Sequence, residues 1–145
     1  MNRLALLDTS AWARLRDGRL SGDAADELYG RLEAGELALT EPLLLEMRYS
    51  ARDARDSALL AEELDAITLL ALDGVAVSRA LDAQGQLAAL PGVSHRVKPV
   101  DLLVASVAER HDAAVLHYDA DYDLLADHTS LTFMSVWAVK RGSIS

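Results

Sequence analysis

Two short apolar runs, each leading to an acidic residue, constrain the fold of this chain more than any other feature. Residues 4–7 (LALL) are followed directly by Asp8, and residues 113–116 (AAVL) are followed within three residues by Asp119. Apolar runs of this length between polar residues are typical of strands buried on both faces. Ligands of open α/β sheets bind beyond the carboxyl ends of such strands, so both acids are candidate site residues. The alternative for either acid alone is a turn or capping residue.

The rest of the chain alternates between helical and strand patterns. Helices are predicted over residues 11–15, 21–34, 42–49, 53–70, 75–90, 99–111 and 121–125, and strands over 4–7, 36–40, 113–117 and 131–135. Residues 67–72 also fit a strand, because periodicity alone does not decide between the two. This alternation implies an α/β fold with a mostly parallel central sheet and helices on both faces. A length of 145 residues suits a single domain over residues 1–145.

Composition excludes several classes of protein. The chain has no cysteine, which rules out disulfides and thiolate metal sites. Its longest apolar stretch, residues 66–72, is too short to span a membrane, and the N-terminus does not have the pattern of a signal peptide, so a cytoplasmic protein is expected. The net charge of −9 argues against broad, non-specific nucleic-acid binding. Arginine clusters still allow a local basic surface.

Two further acids lie on apolar helix faces. The residues three and four positions from Glu46 are Pro42, Leu43, Tyr49 and Ser50, so no other charge shares its stripe. Asp101 lies in the first turn of its predicted helix, on the stripe of Val104, Ala105 and Ala108. An ordinary explanation exists for each: a helix-margin Glu paired with Arg, and an acid that favours the helix dipole. The functional interpretation is that both carboxylates face the end of the sheet.

Four carboxylates that meet would repel one another strongly without a counterion. The candidates are Asp8, Glu46, Asp101 and Asp119. Oxygen ligands without Cys or clustered His favour Mg²⁺ or Mn²⁺. Ions held in this way commonly serve phosphodiester hydrolysis, because they activate water and neutralise charge on the phosphate. The residues themselves therefore indicate a metal-dependent enzyme acting on phosphate esters.

Four motifs in order resemble the PIN-domain ribonucleases, and specifically the VapC-type toxins of bacterial toxin–antitoxin pairs. They are residues 7–12 (LDTSAW), 45–46 (LE), 98–105 (KPVDLLVA) and 116–123 (LHYDADYD). The resemblance spans nearly the whole chain and implies a three-layer α/β/α domain. It also implies that Asp8, Glu46, Asp101 and Asp119 form the metal site, with Asp121 as a further carboxylate, directly or through water. The family motif around Glu46 is loose, and Glu41 is a second acid nearby.

The same resemblance implies roles for nearby polar residues and for partners. Thr9 or Ser10 would place a hydroxyl beside the cation, and His117 would either touch substrate or orient its loop; we favour the orienting role. The implied activity is Mg²⁺-dependent cleavage of structured RNA, tRNA or rRNA, with Mn²⁺ as a substitute ion. The implied partners are a second copy of the chain and a cognate VapB-type antitoxin that blocks the acidic pocket, often with an Arg.

Other classes fit less well. A haloacid-dehalogenase-like phosphatase needs a second Asp at position 10, which is Ser10 here. A phosphoacceptor signalling domain needs paired acids after the first strand, and Asp8 has no acidic neighbour. The serious alternative is a non-catalytic PIN-fold module that binds metal and RNA.

Trp12, Leu15 and the helices over residues 43–49 and 59–67 offer apolar side chains either to an antitoxin or to the core. Arg14, Arg16, Arg96 and Lys98 are candidates for guiding RNA phosphates.

Overall fold

The structure is a computed structural model that describes residues 3–92 and 96–145. The strands of this described part are β1 (Ala5–Leu7), β2 (Leu37–Leu39), β3 (Thr68–Leu69), β4 (Ala114–His117) and β5 (Met134–Trp137). Its helices are α1 (Thr9–Arg16), α2 (Gly22–Glu33), α3 (Glu41–Tyr49), α4 (Ala54–Asp65), α5 (Gly74–Ala88), α6 (Pro99–His111) and α7 (Asp121–His128). Ser94 and His95, which the sequence places in a loop before α6, lie outside the described residues.

The five strands form one parallel sheet in the order β3-β2-β1-β4-β5. The central strand β1 pairs Leu6 with Ala38 of β2 on one side and with Val115 of β4 on the other. Every residue of β1, β2 and β4 is buried, as expected for strands covered by helices on both faces. The predicted α/β fold with a parallel central sheet is confirmed.

The strand order places a topological switch point between β1 and β4. The chain runs outward from β1 through β2 to β3, then returns to form β4 and β5 on the other side of β1. The connections from the two central strands therefore diverge at the carboxyl end of the sheet and leave a crevice there. The predicted acids Asp8 and Asp119 follow the two strands that border this crevice.

The first helix begins two residues earlier than the sequence suggested. Asp8 is its N-cap, because the Asp8 carboxylate accepts a hydrogen bond from the Ser10 amide at 3.0 Å. Asp8 is thus both the end of the buried strand and the cap of the helix that follows. The cap fixes the carboxylate at the carboxyl edge of the sheet.

The helix predicted over residues 53–70 is shorter in the structure. The alternative prediction of a strand within residues 67–72 is confirmed. Helix α4 ends at Asp65, and the chain then extends so that Thr68 and Leu69 pair with β2. The last strand also begins later than predicted, at Met134 instead of residue 131. The residues predicted to begin this strand make other contacts. Leu131 is buried in the core, and the Thr132 amide donates to Glu109 at 2.7 Å.

No helix among the described residues is long and apolar enough to cross a membrane.

Candidate active site

An acidic cavity of about 420 Å³ opens at the carboxyl end of β1 and β4. Its lining includes the four predicted carboxylates Asp8, Glu46, Asp101 and Asp119, together with Thr9, Ser10, Arg14 and Lys98. The acids arrive from four different elements: the β1–α1 junction, α3, the first turn of α6, and the loop after β4. The fold therefore brings together residues that lie up to 111 positions apart in the sequence.

Asp8 is held by hydrogen bonds to both of its carboxylate oxygens. Its Oδ2 accepts from the Ser10 amide at 3.0 Å and from the Ser10 hydroxyl at 2.5 Å. Its Oδ1 accepts from the Tyr122 hydroxyl at 2.5 Å. The Ser10 hydroxyl in turn accepts from the Tyr118 amide at 2.9 Å, which ties the β1 end to the loop after β4. Asp8 is thus buried and fixed in orientation.

Asp101 is the least satisfied acid of the cavity. Its side chain is buried, and its Oδ2 has no hydrogen-bond partner among the described residues. Burial, followed by the charges of Asp8 and Asp119, raises the pKa of Asp101 to about 8, and the Lys98 charge opposes this effect only in part. A buried oxygen without a partner costs free energy, and a cation bound at this position would compensate it.

Asp101, Asp119 and Asp121 form the tightest carboxylate cluster. One oxygen from each of the three lies within 4.8 Å of the other two. The Asp121 amide donates to Asp119 Oδ1 at 3.0 Å, which fixes the loop that carries both acids. Burial and the neighbouring Asp119 charge raise the pKa of Asp121. This set of hard oxygen donors fits a divalent cation such as Mg²⁺ or Mn²⁺.

Glu46 and Asp8 line the cavity outside this cluster of three. Glu46 is half-buried on α3 and accepts a hydrogen bond from the Thr9 hydroxyl at 2.8 Å. Glu41, the other acid of that helix, is engaged elsewhere: its Oε1 accepts from the Leu72 amide at 2.9 Å, and this bond lowers the pKa of Glu41. Of these two acids, Glu46 is the one that lines the acidic cavity.

His117 is buried at the end of β4, and its two ring nitrogens contact the acid loop and β5. Its Nδ1 accepts from the Asp119 amide at 3.1 Å, which places the ring proton on Nε2. Nε2 then donates to Ser135 Oγ at 2.7 Å, and Ser135 donates to Asp123 at 2.6 Å. Burial lowers the pKa of His117 and so favours the neutral ring. These contacts support the orienting role over direct contact with substrate.

Sequence reasoning missed three polar partners of the site. Tyr122 reaches Asp8 across 114 residues of sequence, while Ser135 and Asp123 continue the hydrogen-bond chain from His117. Only Asp123 carried a signal, because it is the third acid in the run DADYD. From sequence alone, a tyrosine in a short amphipathic helix cannot be distinguished from an ordinary core residue. Only the tertiary structure shows which group its hydroxyl contacts.

The basic residues divide into two groups. Arg14 and Lys98 line the acidic cavity, and Arg14 also stacks on the Tyr118 ring at 4.6 Å. Arg16 instead packs over Trp12 at 5.0 Å and pairs with Glu63 at 3.2 Å. Arg96 is exposed in the segment that leads into α6. Arg14 and Lys98 are therefore the predicted cations that the structure places at the cavity.

A second opening, the apolar cleft, adjoins the acidic cavity. It has a volume of about 570 Å³ and is lined by Thr9, Glu41, Pro42, Leu45, Glu46, Tyr49, Leu72, Val100 and Leu103. Leu45 and Tyr49 are 74% and 90% exposed, whereas Trp12 is buried in the core. The cleft shares Thr9 and Glu46 with the acidic cavity. Part of the apolar surface predicted for a partner, at Leu45 and Tyr49, is therefore exposed, and it lies beside the acids.

Comparison with known proteins agrees with this architecture. A family profile for the PIN domain matches residues 5–127. Ribonuclease VapC18 of Mycobacterium tuberculosis is 34% identical over 139 residues, which cover 95% of this chain and 97% of the relative. Ribonuclease VapC51 of the same organism is 37% identical over 139 residues, which cover 96% of both proteins.

The fold is also similar to a chain in the crystal structure of DNA-bound VapBC from Salmonella typhimurium. The TM-score is 0.72 at 15% identity, over 94% of this chain and 99% of that chain. The chain belongs to the PIN-domain family. Two relatives that it matches along nearly its whole length are named VapC ribonucleases.

Proposed function

We propose that this protein is a Mg²⁺-dependent endoribonuclease and the toxin of a toxin–antitoxin pair. The observation that carries the proposal is the acidic cavity, which four carboxylates line and where one buried oxygen of Asp101 has no hydrogen-bond partner among the described residues. The VapC relatives are named ribonucleases, which supports RNA as the substrate class. We propose structured RNA, either tRNA or rRNA, as the target.

We assign different roles to the carboxylates of the cavity. Asp101, Asp119 and Asp121 offer the three closest oxygens for a cation, and Asp8 completes the set directly or through water. Glu46 is assigned to positioning the attacking water or a second ion, because it lies outside the cluster of three acids and borders both the acidic cavity and the apolar cleft. When bound, Mg²⁺ supplies an activated water and stabilises the charge that develops on the phosphate. Mn²⁺ has similar ligand preferences and is expected to substitute.

Two cations at the rim oppose the negative charge of the chain. Arg14 and Lys98 line the same cavity as the acids, so a phosphate that approaches the carboxylates meets both side chains. Contacts of this kind position a nucleic-acid backbone without reading its sequence. The chain as a whole has a net charge of −9, which disfavours indiscriminate RNA binding. This distribution supports cleavage at few sites over general degradation.

The apolar cleft supports a cognate VapB-type antitoxin as a partner. A segment that buries apolar side chains against Leu45 and Tyr49 lies next to Glu46, within reach of the acidic cavity. A basic side chain on that segment would pair with the carboxylates and close the site to RNA. The structural neighbour from Salmonella typhimurium is a VapBC assembly, which supports a complex of this type. We also propose that the protein forms a homodimer.

The direct test is cleavage of cellular RNA by antitoxin-free protein. Purified protein is incubated with total RNA in Mg²⁺, in Mn²⁺ and in EDTA, alongside Asp8→Asn. A discrete product that needs the metal and is absent with Asp8→Asn is expected, and mapping its ends identifies the target. Tight Mg²⁺ binding by the wild type without any product would instead support the non-catalytic module.

A further inference from the structure

The hydroxyl of Tyr122 lies between two acids of the proposed metal site. Its oxygen is 2.5 Å from Asp8 Oδ1 and 3.4 Å from Asp101 Oδ1. These acids belong to different elements, since Asp8 caps α1 and Asp101 lies in the first turn of α6. One phenol oxygen therefore bridges two carboxylates that would otherwise face each other without a donor between them.

The packing of the ring fixes where this hydroxyl points. Tyr122 is fully buried on α7, with its ring 4.9 Å from the His117 ring and 6.5 Å from the Phe133 ring. The side chain is therefore a neutral donor in a rigid setting, which suits it to orient other groups.

The bond from Tyr122 completes the hydrogen bonding of Asp8 and leaves Asp101 incomplete. With Ser10 on Oδ2 and Tyr122 on Oδ1, both oxygens of Asp8 have a donor. Within residues 3–92 and 96–145, the one hydrogen-bond contact of the Asp101 carboxylate is the long one to Tyr122, and its Oδ2 is left without a partner. The two carboxylates are thus held in orientation, with one buried oxygen still available to a cation.

We propose that Tyr122 is a positioning residue that presets Asp8 and Asp101 for a divalent cation. The proposal rests on the proposed function, because it assumes that these acids hold the metal. Without the hydroxyl, Asp8 is held by Ser10 alone and Asp101 loses its contact with Tyr122, so cation binding must order the two carboxylates against their mutual repulsion. Loss of an outer partner of this kind typically weakens metal binding by about 10- to 100-fold.

The first test compares Mn²⁺ binding by calorimetry in the wild type and in Tyr122→Phe, which removes only the hydroxyl oxygen. We expect Tyr122→Phe to bind Mn²⁺ at least about tenfold more weakly. The matched control is Tyr118→Phe, since the Tyr118 hydroxyl bonds to the main chain of Gly142 and Ile144 and to neither acid. Its Mn²⁺ affinity is expected to stay within about twofold of the wild type, because no outer partner of the acids is lost.

Two further readouts separate positioning from a general loss of structure. The increase in melting temperature on adding Mn²⁺ should be smaller for Tyr122→Phe than for Tyr118→Phe, while the circular dichroism spectra of both match the wild type. In RNA cleavage, Tyr122→Phe should need more Mn²⁺ for half-maximal rate. The rate at saturating Mn²⁺ should fall by a smaller factor than the Mn²⁺ affinity.

The wild type alone provides a test that does not depend on the variant folding. The chain has four tyrosines, and labelling each at Cζ with ¹³C gives four resonances, assigned by replacing Tyr29, Tyr49 and Tyr118 in turn with Phe. Mg²⁺ should shift the Tyr122 resonance in proportion to occupancy and leave the Tyr29 resonance in place. An unmoved Tyr122 resonance, or equal Mn²⁺ affinity in Tyr122→Phe and wild type, overturns the inference. Failure of the wild type to bind Mn²⁺ at all overturns the proposed function itself.

Discussion

Asp101 links the stability of the protein to its proposed chemistry. It is buried beside Asp8 and Asp119, and its pKa of about 8 compares with 3.8 for an exposed Asp. Without a metal ion, the folded protein therefore keeps a proton on Asp101 at a pH where the unfolded chain has released it. Ionised Asp101 is a good ligand for a cation, but its ionisation without a bound cation destabilises the folded state.

The sign of the resulting pH dependence follows from proton counts. Between about pH 4 and pH 8, the folded state binds more protons at this site than the unfolded state, so stability falls as pH rises. Asp101→Asn removes this contribution. In EDTA, the free energy of unfolding of the wild type should decrease relative to that of Asp101→Asn, by up to about 1.4 kcal/mol per pH unit.

Urea denaturation at several pH values between about 5 and 8 measures this difference. Asp127→Asn, which changes an exposed acid of α7, is the matched control and should follow the wild type. Parallel curves for wild type and Asp101→Asn would show that the Asp101 environment is not as described.

At the scale of elements, the sequence predicts where the acids lie better than how they are held. Asp8 and Asp119 follow apolar runs, and parallel strands end at one edge of a sheet, so their proximity follows from pattern alone. The helical spacing around Glu46 and Asp101 likewise predicts which way these acids face. Each of these inferences uses local periodicity, which sequence carries directly.

The supporting hydrogen bonds do not follow from such patterns. Tyr122, Ser135 and Asp123 contact the site through side-chain directions that only tertiary packing fixes. The same reason explains the late start of β5: the main chain at Thr132 bonds to a Glu109 side chain instead of extending the strand. Tertiary partners of this kind override local propensity, and sequence spacing gives no sign of them.

The contact between β4 and β5 yields a prediction about Ser135. Ser135→Ala leaves the buried Nε2 proton of His117 without its acceptor, which should lower the free energy of unfolding by about 1–3 kcal/mol. Ser143→Ala is the matched control, because Ser143 is exposed near the C-terminal end and donates only to the Lys140 carbonyl. Its effect should stay within about 0.5 kcal/mol.

Chemical denaturation of the two variants decides this point. Equal stability of Ser135→Ala and Ser143→Ala would mean that the chain of hydrogen bonds from His117 to Asp123 contributes nothing to the fold. A selective loss in Ser135→Ala would show that this chain of hydrogen bonds stabilises the fold.

At the scale of the whole molecule, the acidic cavity and the apolar cleft form one continuous surface with two chemistries. They share Thr9 and Glu46, so a partner seated in the cleft is already next to the carboxylates. This arrangement explains how a single segment could cover both the apolar side chains and the acids. Binding energy from the cleft would then position a basic group at the site.

Replacing Leu45 by Glu tests this arrangement. Leu45 is 74% exposed, so the change should alter the free energy of unfolding by no more than about 0.5 kcal/mol. It should weaken binding of the cognate antitoxin at least about tenfold, because a charge is buried against an apolar segment. Calorimetric titration with purified antitoxin measures the affinity. Tyr29→Glu, on α2 and outside the lining of the cleft, is the control; equal affinity in both variants would contradict this assignment.

The central claim is that Asp8, Glu46, Asp101 and Asp119 meet around a divalent cation. The most direct measurement is anomalous diffraction at the manganese edge from crystals of the antitoxin-free protein grown in Mn²⁺. We predict a peak in the acidic cavity, bordered by Asp101 and Asp119, that is absent from crystals of Asp101→Asn. A cavity without a peak at saturating Mn²⁺, or a peak that persists unchanged in Asp101→Asn, would contradict the assignment of the site.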